Sequence, residues 1–117
     1  MQYLTSTELP AVNLSSEQTR RLLSAAQGGD TQAREMLIHA NMRLARSITR
    51  RFTGRCTDPE DLFQVACLGL MKAIDNFDLS FDVRFSTYAV PCIIGEIRRY
   101  LQQDRPVRLG RSLQERV

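Results

Sequence analysis

The stretch from Asn76 to Pro91 reads NFDLSFDVRFSTYAVP. It holds Phe77, Phe81, Phe85 and Tyr88, half of the aromatic side chains in a 117-residue sequence with five Phe, three Tyr and no Trp. Arg84 lies among them, with Asp78 and Asp82 close by. Rings interleaved with an arginine suit the capture of unpaired nucleic-acid bases. The π-faces take stacked bases at about 1–3 kcal/mol each, with little demand on sequence. A loop that plugs a hydrophobic core would carry the same residues. Phe77, Leu79, Phe81, Val83 and Phe85 alternate at i, i+2, as in a strand. No second strand candidate exists to pair with them, so the stretch is read as an extended loop between helices. Phe77 and Phe85 are expected to plug the core, and the other rings to present their faces beside Arg84. Arg98, Arg99, Arg105, Arg108 and Arg111 follow and can neutralise phosphates.

Other chemistries find little support. Cys56, Cys67 and Cys92 are odd in number and widely spaced, and His39 is the one histidine. No C-x-x-C pattern is present, which argues against a zinc site or a disulfide framework. Cys56 or Cys67 with His39 lacks an oxyanion motif or glycine elbow, so no enzyme, metal or cofactor is expected. His39 is read as a surface or interface residue. No apolar run approaches the roughly 18 residues of a membrane span, and no signal peptide is evident, so a cytoplasmic protein without membrane contact is expected.

The net charge is only +3, but its distribution is uneven. Residues 19–55 are rich in arginine, residues 58–82 are acidic, and residues 84–117 are again rich in arginine. Such alternation implies at least two kinds of partner surface. Fifteen of the sixteen basic residues are arginine. The use of arginine fits the codon bias of a GC-rich genome as well as bidentate binding of phosphate or carboxylate.

The elements that must position these residues are helical. Residues 1–14 read as a loose tail. Ser15 or Ser16 caps a first helix that Gly28 and Gly29 stop after Gln27. Asp30 caps a long second helix whose stripe is Ala33, Leu37, Ala40, Leu44, Ile48 and Phe52, closed by Gly54, with Arg43, Arg46 and Arg50 on the other face. Asp58, Pro59, Glu60 and Asp61 start a third helix that runs to about Phe77. A fourth runs from near Ser86 to about Gln103 over Val90, Ile93 or Ile94, Ile97 and Leu101. Arg105 and Pro106 break it, and GRSLQERV opens a fifth helix. The expected fold is all-α: a compact bundle of about four helices over residues 15–104, an aromatic-rich extended loop between helices three and four, and a linker over 105–117.

The third helix has one apolar face too many. Phe63, Ala66, Leu70, Ile74 and Phe77 suffice as a core stripe. Asp61, Gln64, Val65, Leu68 and Met71 line a second face. Either this helix is buried on two sides, or the second face is a docking surface with an apolar centre and an acidic and amide rim.

Three segments, DLFQVACLGLMKAIDNFD, RFSTYAVPCIIGEIRRYLQQD and RSL, together resemble the second conserved region of bacterial RNA polymerase sigma factors. The likeness covers about residues 30–117, and FSTYAVPCIIGEIRR is most similar to the sporulation type, sigma-F or sigma-G. The resemblance implies a promoter-specificity subunit that binds RNA polymerase core and recognises and melts the −10 promoter element. It puts Asp61, Gln64, Val65, Leu68 and Met71 against the clamp coiled coil of the largest polymerase subunit, with Met42 and Ala45 beside them. It also puts Phe77, Arg84, Phe85, Thr87, Tyr88, Gly95, Arg98 and Arg99 at positions that take or support promoter DNA, mainly the non-template strand. An anti-sigma factor is a further implied partner. Housekeeping members carry two tryptophans where Pro91 and Cys92 stand, so their rules of base choice do not transfer. Proline in the first turn costs little, which sets the start of helix four near Ser86 or Ala89, or else marks a kink. The sequence stops before the family's third and fourth regions, which implies a fragment of a longer protein. The competing reading is a helical protein-interaction module without nucleic-acid contact.

Overall fold

The computed structural model describes residues 14–52, 54 and 58–103, all helix, turn or loop. Five helices follow one another: α1 Ser16–Gln27, α2 Thr31–Ala40, α3 Met42–Arg50, α4 Pro59–Asn76 and α5 Phe85–Gln103. The expected tail, the Arg105–Pro106 break, the linker and the fifth helix beyond it lie outside the described residues, as does Cys56.

Local chemistry sets the helix starts. Ser15 Oγ accepts from the Gln18 amide at 3.0 Å, and Gln18 Oε1 accepts from the Ser15 amide at 2.9 Å, a reciprocal capping box. Asp30 accepts from the amides of Gln32 and Ala33. Asp58 caps α4 through the Glu60 amide at 2.9 Å, with Pro59 at the first helical position. Between α1 and α2 the chain turns at Gly29, whose φ of 107° is the left-handed conformation that glycine takes without a Cβ penalty.

The single long second helix is corrected to two. Asn41 sits between α2 and α3 with φ −110° and ψ 9°. Its side-chain amide donates to the Leu37 carbonyl at 2.8 Å, competing with the helical backbone for that acceptor. The break changes which residues face inward. Ala40 and Leu44 are only half-buried, whereas Met42, Ala45 and Ile48 are buried.

Helix α4 is the centre of the bundle. It touches all four other helices and packs most extensively along α5. Leu62, Phe63, Ala66, Gly69, Leu70, Ala73 and Ile74 are buried, an inner face wider than one stripe. At Gly69 the two helices meet backbone to backbone: a Cβ there would lie 2.8 Å from Ile93 Cα and 3.1 Å from the Cys92 carbonyl. Glu96 crosses the same seam. It accepts from Lys72 Nζ of α4 at 2.8 Å and from the Arg99 guanidinium of α5 at 2.7 Å.

Arginine does much of the joining elsewhere. Arg34 on α2 grips Asp75 on α4 with two parallel bonds of 3.0 Å. Arg46 on α3 pairs with Glu60 at 3.1 Å and lies flat over the Phe63 ring, 3.7 Å from its centroid. A planar fork that stacks and pairs at once is a task lysine cannot perform. Pro91 lies inside α5 rather than in its first turn, because the helix begins at Phe85. Its missing N–H leaves the Thr87 carbonyl without its helical donor.

Candidate nucleic-acid and partner interfaces

The ring-rich stretch occupies the passage from α4 to α5, and its rings divide into two groups. Phe77 and Phe85 are buried, as expected for core plugs. Phe77 meets Phe85 edge-on at 5.6 Å between centroids and meets Tyr88 edge-on at 5.5 Å. Phe81 and Val83 point outward, 61% and 45% exposed. The expected extended conformation is corrected to a turned one. Asp78 Oδ1 accepts from the Ser80 amide and hydroxyl, and the Phe81 amide donates to the Asp78 carbonyl at 3.2 Å. This turn breaks the strand-like alternation, so the middle of the run faces solvent while its ends face the core. The two Ser80 bonds hold the Asp78 carboxyl below the usual carboxylate range.

Tyr88 is half-buried, with Phe77 fixing one edge of its ring. Burial, followed by the neighbouring Cys92, pushes its phenol upward, so it stays a neutral ring near pH 7. Arg84 and Thr87 are exposed on the same margin. Further along α5, Arg98 and Arg99 are exposed and Gly95 is half-buried, with nothing within 4 Å of where its Cβ would stand. Arg99 is shared with Glu96, which leaves Arg98 the less encumbered cation of the pair. A hollow of about 230 Å³ opens beside the loop, walled by Arg20, Asn41, Asp82, Val83, Arg84 and Ser86 among others. Sequence reading expected Phe81 to present its face beside Arg84 but named neither Phe81 nor Val83 among the DNA-contacting residues, although the i, i+2 run contained both.

The second face of α4 is open. Asp61 and Gln64 are exposed, Val65 and Met71 are half-buried, and Leu68 is 43% exposed. Burial of this helix on two opposite sides is thereby excluded. Met42 and Ala45 require a correction. They are buried in α3, which starts just after the Asn41 break, and offer a partner almost no surface.

Cys67, half-buried beside this face, is pushed up to about 11 by burial, against a smaller opposing effect of Arg46. Such a thiol stays protonated and weakly nucleophilic at neutral pH. Among the described residues no cluster of His, Cys, Asp or Glu is disposed to hold a metal ion, and no helix is long and apolar enough to cross a membrane.

A family model described as Sigma-70 region 2 matches residues 37–106, which include the last turn of α2, all of α3, α4 and α5, and the loop. The chain is 52% identical over 102 residues to the RNA polymerase sigma-F factor of Bacillus subtilis and 55% identical over 103 residues to the sigma-G factor of that organism. Each alignment takes in 87% of this chain and 40% of the relative, so the chain spans less than half the length of those proteins. A putative sigma-G factor of Bacillus thuringiensis is 54% identical over 102 residues, with 82% of its length covered. With more than half of its residues matched to the region 2 model and such identity to sporulation sigma factors, the chain belongs to the sigma-70 region 2 family.

Proposed function

We propose that this chain is the part of a sporulation-type sigma factor that binds RNA polymerase core and captures the non-template strand of the −10 promoter element as the duplex opens. One observation carries the reading: Phe81 and Val83 stand outward on the loop that holds the exposed Arg84, while Phe77 and Phe85 are buried in the core. An exposed phenylalanine on a turn that is already anchored has no packing task. Its π-face suits an unstacked base, which intact duplex offers only at a melting cost of a few kcal/mol.

The outer face of α4 is the polymerase-docking surface in this reading. Asp61 and Gln64 form its polar rim, Leu68 its apolar centre, and Val65 and Met71 its half-buried flanks. The partner is the clamp coiled coil of the largest polymerase subunit, and the acidic rim suits an arginine-rich helix. An anti-sigma factor that covers Asp61 and the nearby His39 would compete for this face. A transcription subunit of this kind works in the cytoplasm.

The test separates the two surfaces. Asp61→Arg with Gln64→Ala is expected to leave the helical circular dichroism unchanged and to weaken binding to polymerase core by more than about 2 kcal/mol, the loss of a hot spot. Normal core affinity in the folded double variant would refute the docking assignment. The rival reading, a helical interaction module without nucleic-acid contact, predicts no salt-dependent binding of single-stranded DNA by the chain in complex with core.

A further inference from the structure

Two side chains of α1 reach the ring-rich loop, and both spend their donors on its backbone. The guanidinium of Arg20 donates to the carbonyls of Leu79, Phe81 and Val83, the last two at 3.2 and 3.5 Å. Its carbon also lies 5.8 Å from the centre of the Phe77 ring. Gln27 Nε2 donates to the carbonyls of Ile74 at 3.1 Å and Phe77 at 2.8 Å. Arg20 and Gln27 are seven residues apart, two helical turns, so they share one side of α1. Leu23, between them on that side, is fully buried. The five carbonyls run from the last turn of α4 to the residue before Arg84.

We infer that α1 is a splint for the ring-rich loop, and that Arg20 is a positioning residue that holds Phe81 and Val83 outward for strand capture. The loop cannot hold this shape with its own bonds alone. The turn at Asp78–Phe81 satisfies only its first part, and the carbonyls of Leu79, Phe81 and Val83 are alternate members of the run, all facing one guanidinium. Five donors in a rigid planar fork can serve three acceptors at once; a lysine ammonium, a single point on a flexible stem, meets them less completely. Arg20 reads from sequence as one more surface arginine, and its function follows only from the carbonyls around it.

The strand-capture half of this inference rests on the function proposed above, so the experiment reads loop order without polymerase or DNA first. The chain contains no tryptophan, so Phe81→Trp gives a sole fluorescent reporter at an exposed position. Adding Arg20→Ala is expected to lower the anisotropy of that tryptophan and to raise amide exchange across residues 79–84 by at least about tenfold, while exchange in the centres of α4 and α5 stays as before. Arg20→Lys is expected to restore part of the order, and Gln27→Ala to loosen the loop near Phe77. Unchanged anisotropy and exchange would overturn the splint. A uniform rise throughout α4 and α5 would overturn it too, making Arg20 a residue of the fold at large. The second arm measures binding of the core complex to a labelled single-stranded DNA pool of mixed sequence, with Arg20→Ala expected to weaken it at unchanged core affinity. A loosened loop that binds the pool as tightly as before would refute the positioning role. Failure of the unsubstituted complex to bind the pool at all would instead refute the proposed function.

Discussion

Gly69 offers a test of how the two long helices are held, because one added methyl group has nowhere to go. Its Cβ would stand 2.8 Å from Ile93 Cα, 3.1 Å from the Cys92 carbonyl oxygen and 3.1 Å from Glu96 Cγ. Reaching an ordinary separation of 3.4 Å from Ile93 needs a shift of about 0.6 Å, and the first two obstacles are backbone, with no rotamer to turn aside. Overpacking of this kind costs about 1–3 kcal/mol, and a backbone clash belongs at the upper end. Alanine in a helix interior returns about 1 kcal/mol relative to glycine. The net expectation for Gly69→Ala is a loss of about 2 kcal/mol, or roughly 8–16 °C in the melting midpoint of a domain this size. Gly95→Ala on α5 is the control. Nothing lies within 4 Å of its Cβ, so only the propensity gain remains, and stability should rise by about 0.5–1 kcal/mol. Thermal and urea unfolding followed by circular dichroism would measure both. Equal stabilisation by the two substitutions would refute the argument that α4 and α5 are in backbone contact at Gly69.

Other outcomes follow from single features. The Glu96 carboxyl is held below its ordinary value, by Lys72 first, with Arg99 adding to the effect and burial opposing it. A carboxylate depressed in the folded state contributes stability that is complete above the ordinary glutamate range and is lost as pH falls through the folded value. Urea midpoints taken from about pH 7 down to about pH 3 should therefore fall less steeply in Glu96→Gln than in the unsubstituted chain; parallel curves would remove Glu96 from the account. Phe81→Ala should leave stability within about 0.5 kcal/mol, since the ring is exposed. It should weaken single-strand binding by the core complex by about 1–3 kcal/mol. Tyr88→Ala should cost both stability and strand binding, because its ring also packs on Phe77; a Tyr88→Ala protein of normal stability would contradict that edge contact.

Much of the architecture was legible in sequence where one local rule had no competitor. Asp58-Pro59-Glu60-Asp61 marked the start of α4 because cap, proline and helix dipole all agreed. Ser15 or Ser16 was read as the first cap, which falls on Ser15, and Phe77 and Phe85 were read as core plugs. The reading failed where a side chain overrode the period. Asn41 interrupts a stripe that continues on both sides of it, and periodicity alone weighs an Asn as a weak helix former rather than as a donor to the Leu37 carbonyl. Met42 and Ala45, just past that break, are buried and so lie off the proposed docking face. In the loop, the alternation was real but belonged to no strand, and the Asp78 turn decided which members faced out. The joints made by Arg20, Arg34 and Arg46 connect residues up to 63 positions apart, a range at which no sequence pattern identifies a partner.

These joints commit part of the described arginines to holding the fold together, while Arg50, Arg51, Arg84 and Arg98 stay exposed. Arg34 and Arg46 hold α2 and α3 to α4, Arg99 shares Glu96 with Lys72, and Arg20 is committed to loop carbonyls. All of these bonds but the Arg99–Glu96 pair within α5 converge on α4 or on the segment that leaves it. The proposed docking face is therefore carried by one helix and the exposed rings by its exit loop, with α5 in backbone contact at Gly69. In the proposed reading, binding at the outer face of α4 and capture of a strand at its C-terminal end need no moving part between them. Their coupling requires only that the α4–α5 seam stay closed and that α1 keep the loop in shape.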